Sequence, residues 1–236
     1  MILFVSTRRG CPHGRFGAIH RYSVATAGLV FYGSPMRRVL KPLVAVLLAS
    51  VLAGCAGGGH IGGFRTVVVD AGHGGIDKGA RGVDGSLEKK YTLDTAKRIE
   101  RGLRSKGYRV IMTRKGDYFV PLPTRAAISN RQRGAIFVSV HYNDAPRSAP
   151  NGTETYYFNS RSYPLAAHIQ RELARISYNR GVKTARFHVL RNNARPAVLV
   201  ELGFLSNPTE ARRIRSAGYR QRLADAVVRG VSKSSR

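Results

Sequence analysis

The stretch that most constrains the fold is residues 66–75, where an apolar β-branched run breaks into glycines around a single histidine. The three valines in this run favour a strand and show no helical period, so they predict a strand buried in a core. The glycines on both sides of His73 allow a tight turn and leave room around the imidazole. The stretch therefore offers His73 as a ligand at the end of a strand, and an ordinary surface histidine is the alternative.

Downstream of this stretch, strand and helix patterns alternate. The strands over 135–141 and 197–202 are apolar almost throughout, which implies burial on both faces. The alternation predicts a single α/β domain of three layers, with a twisted, mainly parallel sheet flanked by helices. The predicted strands are residues 66–70, 108–113, 135–141, 153–158, 187–190 and 197–202, and the predicted helices are residues 87–106, 122–133, 163–178, 208–216 and 219–231.

A secretory pattern begins at Met36, where a basic head precedes an apolar run over 43–52 that is too short to span a bilayer comfortably. The run ends in Leu-Ala-Gly-Cys, which resembles the lipobox of bacterial lipoproteins, so we expect lipidation at Cys55. A chance cysteine after an uncleaved anchor helix is the alternative. The other cysteine is Cys11, so a chain cut before Cys55 can form no internal disulfide.

These patterns divide the chain into four parts. They are an upstream extension over 1–35, with translation expected to start at Met36, a lipoprotein signal peptide over 36–54, the lipidated cysteine with a glycine-rich tether over 55–63, and one catalytic domain over 64–236. Position 56 is alanine rather than aspartate, which is similar to the outer-membrane sorting pattern of lipoproteins. We therefore expect a cell-envelope protein that is anchored to the outer membrane and faces the periplasm.

The net charge of the domain indicates which classes of partner it can bind. The chain has a formal net charge of +27, and +20 remains when residues 1–54, with their seven basic and no acidic residues, are removed. Such a positively charged surface favours the binding of polyanions. An exported protein meets anionic envelope polymers and phospholipid headgroups, and nucleic-acid binding is not expected because no element clusters arginines with aromatic residues.

Two histidines and two glutamates are predicted to converge at one edge of the sheet. His73 and His141 end the first and third strands, and Glu201 lies near the end of the strand over 197–202. Ligand sites of parallel sheets lie beyond the carboxyl ends of the strands. Glu88 lies on the apolar stripe of the predicted first helix, so it faces inward rather than toward solvent.

Each of these residues has an ordinary explanation when it is taken alone. Glu88 suits the positive end of a helix dipole, and His141 could be a hydrogen-bonded core histidine. Taken together, two imidazoles and two carboxylates indicate a three-ligand zinc site with a general base, because imidazole plus carboxylate with one open position is the pattern of catalytic zinc.

A family resemblance makes this hypothesis specific. It rests on Val-Asp-Ala-Gly-His-Gly-Gly over 69–75, Lys-Gly-Ala over 78–80, Glu88, Thr-Arg over 113–114, Ser-Val-His-Tyr-Asn over 139–143 and Val-Glu-Leu-Gly-Phe-Leu-Ser-Asn over 200–207. In this order the motifs resemble those of the zinc-dependent N-acetylmuramoyl-L-alanine amidases of the amidase_3 type, which are bacterial cell-wall enzymes. The resemblance implies that His73, Glu88 and His141 bind one Zn²⁺ ion and that Glu201 is the catalytic glutamate.

The function implied by the resemblance is zinc-dependent hydrolysis of the amide bond between N-acetylmuramic acid and L-alanine of the peptidoglycan stem peptide, in cell-wall remodelling or cell separation. A non-catalytic peptidoglycan-binding lipoprotein with the same fold is the alternative, and another zinc peptidase is a third possibility. Some relatives carry a helix that plugs the site until a partner removes it. Only 59 residues separate His141 from Glu201, so we expect an open site, for which an activator protein is possible but not required by the sequence.

Several further residues are candidates for supporting roles. Asn143 and Arg114 are expected either to contact substrate or to brace the site. A zinc-bound histidine usually donates a hydrogen bond from its second ring N–H to an acceptor, and Asp70 and Asp77 are both candidates to orient His73 in this way. His188 is a rival candidate for a metal ligand.

Overall fold

The computed structural model describes residues 63–146 and 150–235. The upstream extension predicted over 1–35, the signal peptide predicted over 36–54 and the tether predicted over 55–63, apart from Gly63, lie outside these residues. Among the described helices, none is both long enough and apolar enough to cross a membrane. The elements are β1 (Thr66–Ala71), α1 (Glu88–Ser105), β2 (Arg109–Met112), α2 (Leu122–Asn130), β3 (Ala135–Asn143), β4 (Thr153–Tyr157), α3 (Tyr163–Leu173), β5 (Asn179–Thr184), α4 (His188–Arg191), β6 (Ala197–Phe204), α5 (Pro208–Arg215) and α6 (Ala217–Ser234).

The six strands form one sheet in the order β2-β1-β3-β6-β4-β5. Strands β2, β1, β3 and β6 are parallel to one another. Strand β4 is antiparallel to β6, and β5 is parallel to β4. The predicted α/β domain with a mainly parallel sheet is confirmed.

Helices cover both faces of the sheet, which gives three layers. Alternate side chains of β1 point to opposite faces, so Val67 and Val69 pack beneath α1, α3 and α6, whereas Val68 packs beneath α2 and α4. This arrangement explains the continuous apolar runs of the central strands, because each of their faces is buried in its own core. The core lies within residues 64–231.

Helix α1 has the local sequence signals of a helix that is buried on one side. Its inward stripe includes Thr92, Ala96, Ile99 and Leu103, which are fully buried. Gly107 follows the helix with φ 84°, and its amide donates to the carbonyl of Arg104 over 2.9 Å. A glycine in the left-handed conformation ends the helix, as the sequence predicted.

One predicted strand is wrong and one strand was missed. Residues 188–190 lie in the short helix α4 rather than in a strand, and Phe187 directly precedes it; Val189 and Leu190 are buried on the face covered by α2, and an apolar run can be buried as a helical turn as well as in a strand. The missed strand is β5, a polar Asn-Arg-Gly-Val-Lys-Thr segment at the end of the sheet. A strand at the edge of a sheet has only one neighbouring strand and can be polar, so its sequence lacks the apolar alternation from which strands are predicted. The helix predicted to reach 178 ends at Leu173, which leaves room for the turn into β5.

Strand order brings the chemically important side chains together. The carboxyl ends of β1, β3 and β6 lie side by side, and in the register of the sheet Glu201 pairs with His141 of β3 and with Glu154 of β4. Paired residues on adjacent strands point to the same face. The candidate site therefore lies at this edge, which we call the carboxyl edge.

Candidate active site

His73 lies just beyond β1 in an unusual backbone conformation. Its φ is 60°, and it is the only non-glycine residue with positive φ in the part of the chain that the structure describes. Such a conformation is uncommon outside glycine and requires support from its surroundings. Arg125 provides support by donating from Nη2 to the His73 carbonyl over 2.7 Å.

The imidazole of His73 is oriented by Asp77. The ring Nδ1 lies 2.8 Å from Asp77 Oδ1, which also accepts from the Gly79 amide over 3.1 Å. This contact leaves Nε2 directed at Glu88. Of the two candidates for orienting His73, Asp77 therefore occupies the position and Asp70 does not.

Asp70 belongs to a buried ion pair beneath the His73 loop. Arg125 donates from Nη1 to Asp70 Oδ1 over 2.7 Å, and both residues are about 1% exposed. Ser139 and Thr113 donate to the same carboxylate over 2.7 and 2.6 Å. Burial alone would raise the pKa of Asp70, but Arg125 and the two hydroxyls outweigh it and hold the pKa below its ordinary value.

Glu88 is the first residue of α1 and connects the two histidines. It is 4% exposed, its Oε2 lies 2.9 Å from His73 Nε2, and its Oε1 lies 3.0 Å from His141 Nδ1. The backbone amides of Ala80 and Tyr142 donate to the two oxygens over 2.8 and 3.0 Å. Burial opposes the charged form, but the two histidines hold the pKa of Glu88 far below its ordinary range. A helix-dipole role alone does not account for these inward contacts.

Two glycines make room for this cluster. A Cβ at Gly72 would overlap the ring of His141, and a Cβ at Gly79 would lie 2.5 Å from Glu88 Oε2 and 2.7 Å from His73 Cδ2. Both distances are too short for real contacts, so any side chain at either position would displace a candidate ligand.

His73, Glu88 and His141 fit a metal ion. Each offers one ligand atom, and these atoms all lie within 4.8 Å of one another. Ligand atoms of a tetrahedral zinc ion, each about 2.0–2.1 Å from the metal, lie about 3.3 Å apart. Two imidazoles, one carboxylate and an acceptor behind one imidazole are the donor set of a catalytic zinc site.

Glu201 lies next to this cluster without a partner of its own. It pairs in register with His141, yet its buried Oε2 has no hydrogen-bond partner among residues 63–146 and 150–235. Burial, followed by the charges of Glu88 and Glu154, raises the pKa of Glu201 well above its ordinary value. A carboxylate oxygen that is buried without a partner is costly, and such groups mark functional sites.

Glu154 was missed by the sequence reasoning. It is 2% exposed, and it accepts hydrogen bonds from Lys183, from Arg180 Nε over 2.9 Å and from the Tyr156 hydroxyl over 2.7 Å. Burial favours the neutral form, but Lys183, Tyr156 and Arg180 together lower the pKa of Glu154. The available signal was an acid at an inward position of a predicted strand in a chain with 13 acids.

Asn143 and Arg114 make bracing contacts. Asn143 donates from Nδ2 to Glu154 Oε1 over 2.7 Å. Arg114 is fully buried and donates to the carbonyls of Ala71 and Gly72 over 2.9 and 2.8 Å. Its guanidinium thus holds the backbone that leads into His73.

His188 lies far from the cluster in the topology. It begins α4, which precedes the amino end of β6, whereas the candidate ligands lie at the carboxyl edge. Its ring contacts Asn192 at 3.0 Å. The groups of described residues that could hold a metal do not include His188.

Comparison with known proteins identifies the family. The sequence pattern of the Amidase_3 family, N-acetylmuramoyl-L-alanine amidase, matches residues 67–233. The chain belongs to this family. It is 38% identical over 169 residues to the N-acetylmuramoyl-L-alanine amidase LytC of Bacillus subtilis, a match that covers 69% of this chain and 34% of LytC.

Two further relatives match this chain over nearly their whole length. The uncharacterized protein YqiI of Bacillus subtilis is 37% identical over 202 residues, or 83% of this chain and 97% of YqiI. The solved catalytic domain of CwlV, an N-acetylmuramoyl-L-alanine amidase from Bacillus (Paenibacillus) polymyxa var. colistinus, is 35% identical with a TM-score of 0.70. That match covers 72% of this chain and 97% of the solved domain. The match thus covers nearly all of the solved CwlV domain but only about a third of LytC.

Proposed function

We propose that this protein hydrolyses the amide bond between N-acetylmuramic acid and L-alanine in peptidoglycan, with one Zn²⁺ ion per chain. The proposal is carried by one observation: the ligand atoms of His73, Glu88 and His141 cluster within 4.8 Å of one another, beside the unpartnered Glu201, in a member of the amidase family.

His73, Glu88 and His141 would hold the zinc ion. Zinc supplies Lewis acidity, which polarises a carbonyl oxygen and makes water nucleophilic at neutral pH. Asp77 fixes the ring of His73 through Nδ1, so that Nε2 is the nitrogen available to the metal. The amides of Ala80 and Tyr142 hold the Glu88 carboxylate in place.

Glu201 would move the proton. In the proposed reaction its carboxylate takes a proton from the attacking water, the resulting hydroxide bonds to the lactyl carbonyl carbon, and the proton then passes to the departing L-alanine nitrogen. The water is thus divided between the two products, a glycan strand with a free lactyl carboxylate and a stem peptide with a free amine. A raised pKa suits this role, because the same carboxyl group must both accept and return the proton.

The site is proposed to work without an activator. The described residues between His141 and Glu201 form the rest of β3, then β4, α3, β5, α4 and the start of β6, all of which belong to the sheet or pack on it. This use of the segment argues against a separate plugging helix within it.

We also propose that Cys55 is lipidated and that the enzyme acts on the envelope from the outer membrane, during remodelling or cell separation. This part of the proposal is supported by the sequence pattern of residues 36–56. Mass spectrometry of the protein from membranes tests it, because a lipoprotein yields an acylated N-terminal cysteine.

The activity is tested by digestion of purified peptidoglycan with residues 57–236. This unit holds the whole sheet and its core, and the matched catalytic domain of CwlV was solved alone. Stem peptides with a free L-alanine amine, read by mass spectrometry, should appear with zinc and vanish with a chelator. Binding to peptidoglycan without release of peptide would contradict the enzyme and favour the non-catalytic alternative.

A further inference from the structure

The edge of the sheet opposite the candidate site is strongly and uniformly basic. It consists of the connectors before the four parallel strands and the turns after β4 and β5, since Tyr157 at the end of β4 pairs with Val198 and Thr184. These connectors contain seven basic residues and no aspartate or glutamate. They are Arg65, Lys106, Arg131, Arg133, Arg161, Arg186 and Arg195, and we call this surface the basic edge.

The carboxyl edge has a different composition although the whole domain is basic. Its connectors contain Asp77, Asp84, Asp117 and Asp144 among their basic residues. A basic domain that merely scattered its charges for solubility would show the same mixture at both edges. The exclusion of every acid from the basic edge therefore points to a polyanionic partner at that edge.

Four charges of the basic edge are available to a partner. Arg65, Lys106, Arg131 and Arg133 are exposed, and their side chains make no hydrogen bond or ion pair with any described residue. Arg109 joins the connectors into one surface, because its side chain donates to Gln132 and, over 3.3 Å, to Thr66 Oγ1.

The chain enters the domain at the same edge. Phe64 stacks on Tyr108 with 5.8 Å between ring centroids, and the Tyr108 hydroxyl lies 2.6 Å from Ser235 Oγ. The residues before 63 therefore join the domain among its basic connectors. Those residues include the apolar run over 43–52 and Cys55, and an eight-residue glycine-rich tether reaches about 16 Å.

We infer that the basic edge docks on the anionic phospholipid headgroups of the membrane, which leaves the carboxyl edge facing the cell wall. Each basic residue near an anionic leaflet strengthens binding about fivefold. Docking adds to an anchor by fixing the orientation of the domain. The choice of a lipid partner rests on the proposed membrane anchor, whereas the measurement of lipid binding is independent of amidase activity.

The test uses residues 57–236, which lack both the apolar run and Cys55. Binding is measured by co-sedimentation with vesicles of phosphatidylcholine alone and of phosphatidylcholine mixed with phosphatidylglycerol. One variant neutralises the basic edge (Arg65→Gln, Lys106→Gln, Arg131→Gln, Arg133→Gln). The control variant removes the same number of exposed charges from α1, α3 and α5 (Lys97→Gln, Arg171→Gln, Arg212→Gln, Arg213→Gln).

The wild-type domain should bind the mixed vesicles and not the phosphatidylcholine vesicles, and about 1 M salt should release it. The basic-edge variant should bind the mixed vesicles at least about tenfold more weakly, whereas the control variant should lose much less. Equal losses in the two variants would overturn the inference. Equal binding to both kinds of vesicle, or no binding to either, would also overturn it. Equally tight binding of soluble polyphosphate would overturn it too, because that result would indicate a general polyanion site.

Discussion

Strands β6 and β4 run side by side and present Glu201 and Glu154 at the same level of the sheet, yet the two glutamates have opposite surroundings. Glu154 accepts hydrogen bonds from two cations, a tyrosine and an asparagine. Glu201 has a buried oxygen with no such partner in the described chain. The fold thus stabilises the charged form of Glu154 and the protonated form of the neighbouring Glu201.

The difference suggests a division of labour. A carboxylate that is saturated with donors is fixed in its charged form and in its position, so it suits a structural role. A carboxyl group with a raised pKa and a free oxygen can exchange a proton with a bound molecule. Glu154 also contributes to that state, because its charge is among the causes that raise the pKa of Glu201.

The largest expected effect is that of removing a proposed metal ligand, which should abolish metal binding as well as activity. We expect His73→Ala to lose both zinc and all measurable peptide release, because it removes one of three protein ligands. Zinc content by atomic absorption and peptide release by mass spectrometry measure the two properties. His188→Ala is the matched control and should retain both; a His73→Ala protein with full zinc content would contradict the ligand assignment.

Glu201→Gln should lose activity and keep the metal. Loss of a general base typically lowers kcat by about 10²–10⁴-fold, while the three ligands remain. Since Glu201 has a buried oxygen without a partner, the free energy of unfolding should stay the same or increase in the variant. Peptide-release kinetics, zinc content and urea unfolding measure these three quantities. An active Glu201→Gln enzyme would remove the proposed base.

Glu154→Gln should lower stability, with a smaller effect on activity than Glu201→Gln has. It weakens charge-assisted hydrogen bonds from Arg180 and Lys183, so the free energy of unfolding should fall by about 1–3 kcal/mol, with a smaller effect on kcat than Glu201→Gln. Glu172→Gln is a control, because Glu172 is also buried and pairs with Arg229 and Lys233, away from the site. It should destabilise similarly without changing kcat. A larger loss of kcat in Glu154→Gln than in Glu201→Gln would reverse the assignment.

The two glutamates also show how far the sequence predicts the site. His73, His141 and Glu201 were found because each follows an apolar strand, and the topology of a parallel sheet brings such positions to one edge. Glu154 lies on a strand that runs antiparallel to its neighbour β6. It joins the site only through the pairing of distant segments, which no local pattern specifies.

The same limit applies to the fold. The central strands were predicted because their continuous apolar runs indicate burial on both faces. The polar edge strand β5 was missed. Residues 187–190 were wrongly predicted as a strand, because burial of an apolar run does not distinguish a strand from a helical turn. The Asp70–Arg125 pair beneath His73 was not predicted either, since the two residues are 55 positions apart and only the packing of α2 on the sheet brings them into contact.

The smallest effect, and the most direct comparison of the two glutamates, is their opposite dependence on pH. In the metal-free domain the folded-state pKa of Glu201 lies above its ordinary value of 4.5, so the folded state binds more protons than the unfolded state between the two values. The stability of the wild type relative to Glu201→Gln should therefore fall as pH rises above 4.5. The pKa of Glu154 lies below 4.5, so the advantage of the wild type over Glu154→Gln should be complete above that pH and should disappear as pH falls through the folded-state pKa. Urea unfolding of the three proteins across this range, with a chelator present, measures both trends, and parallel trends would show that the two carboxylates do not differ as the structure indicates.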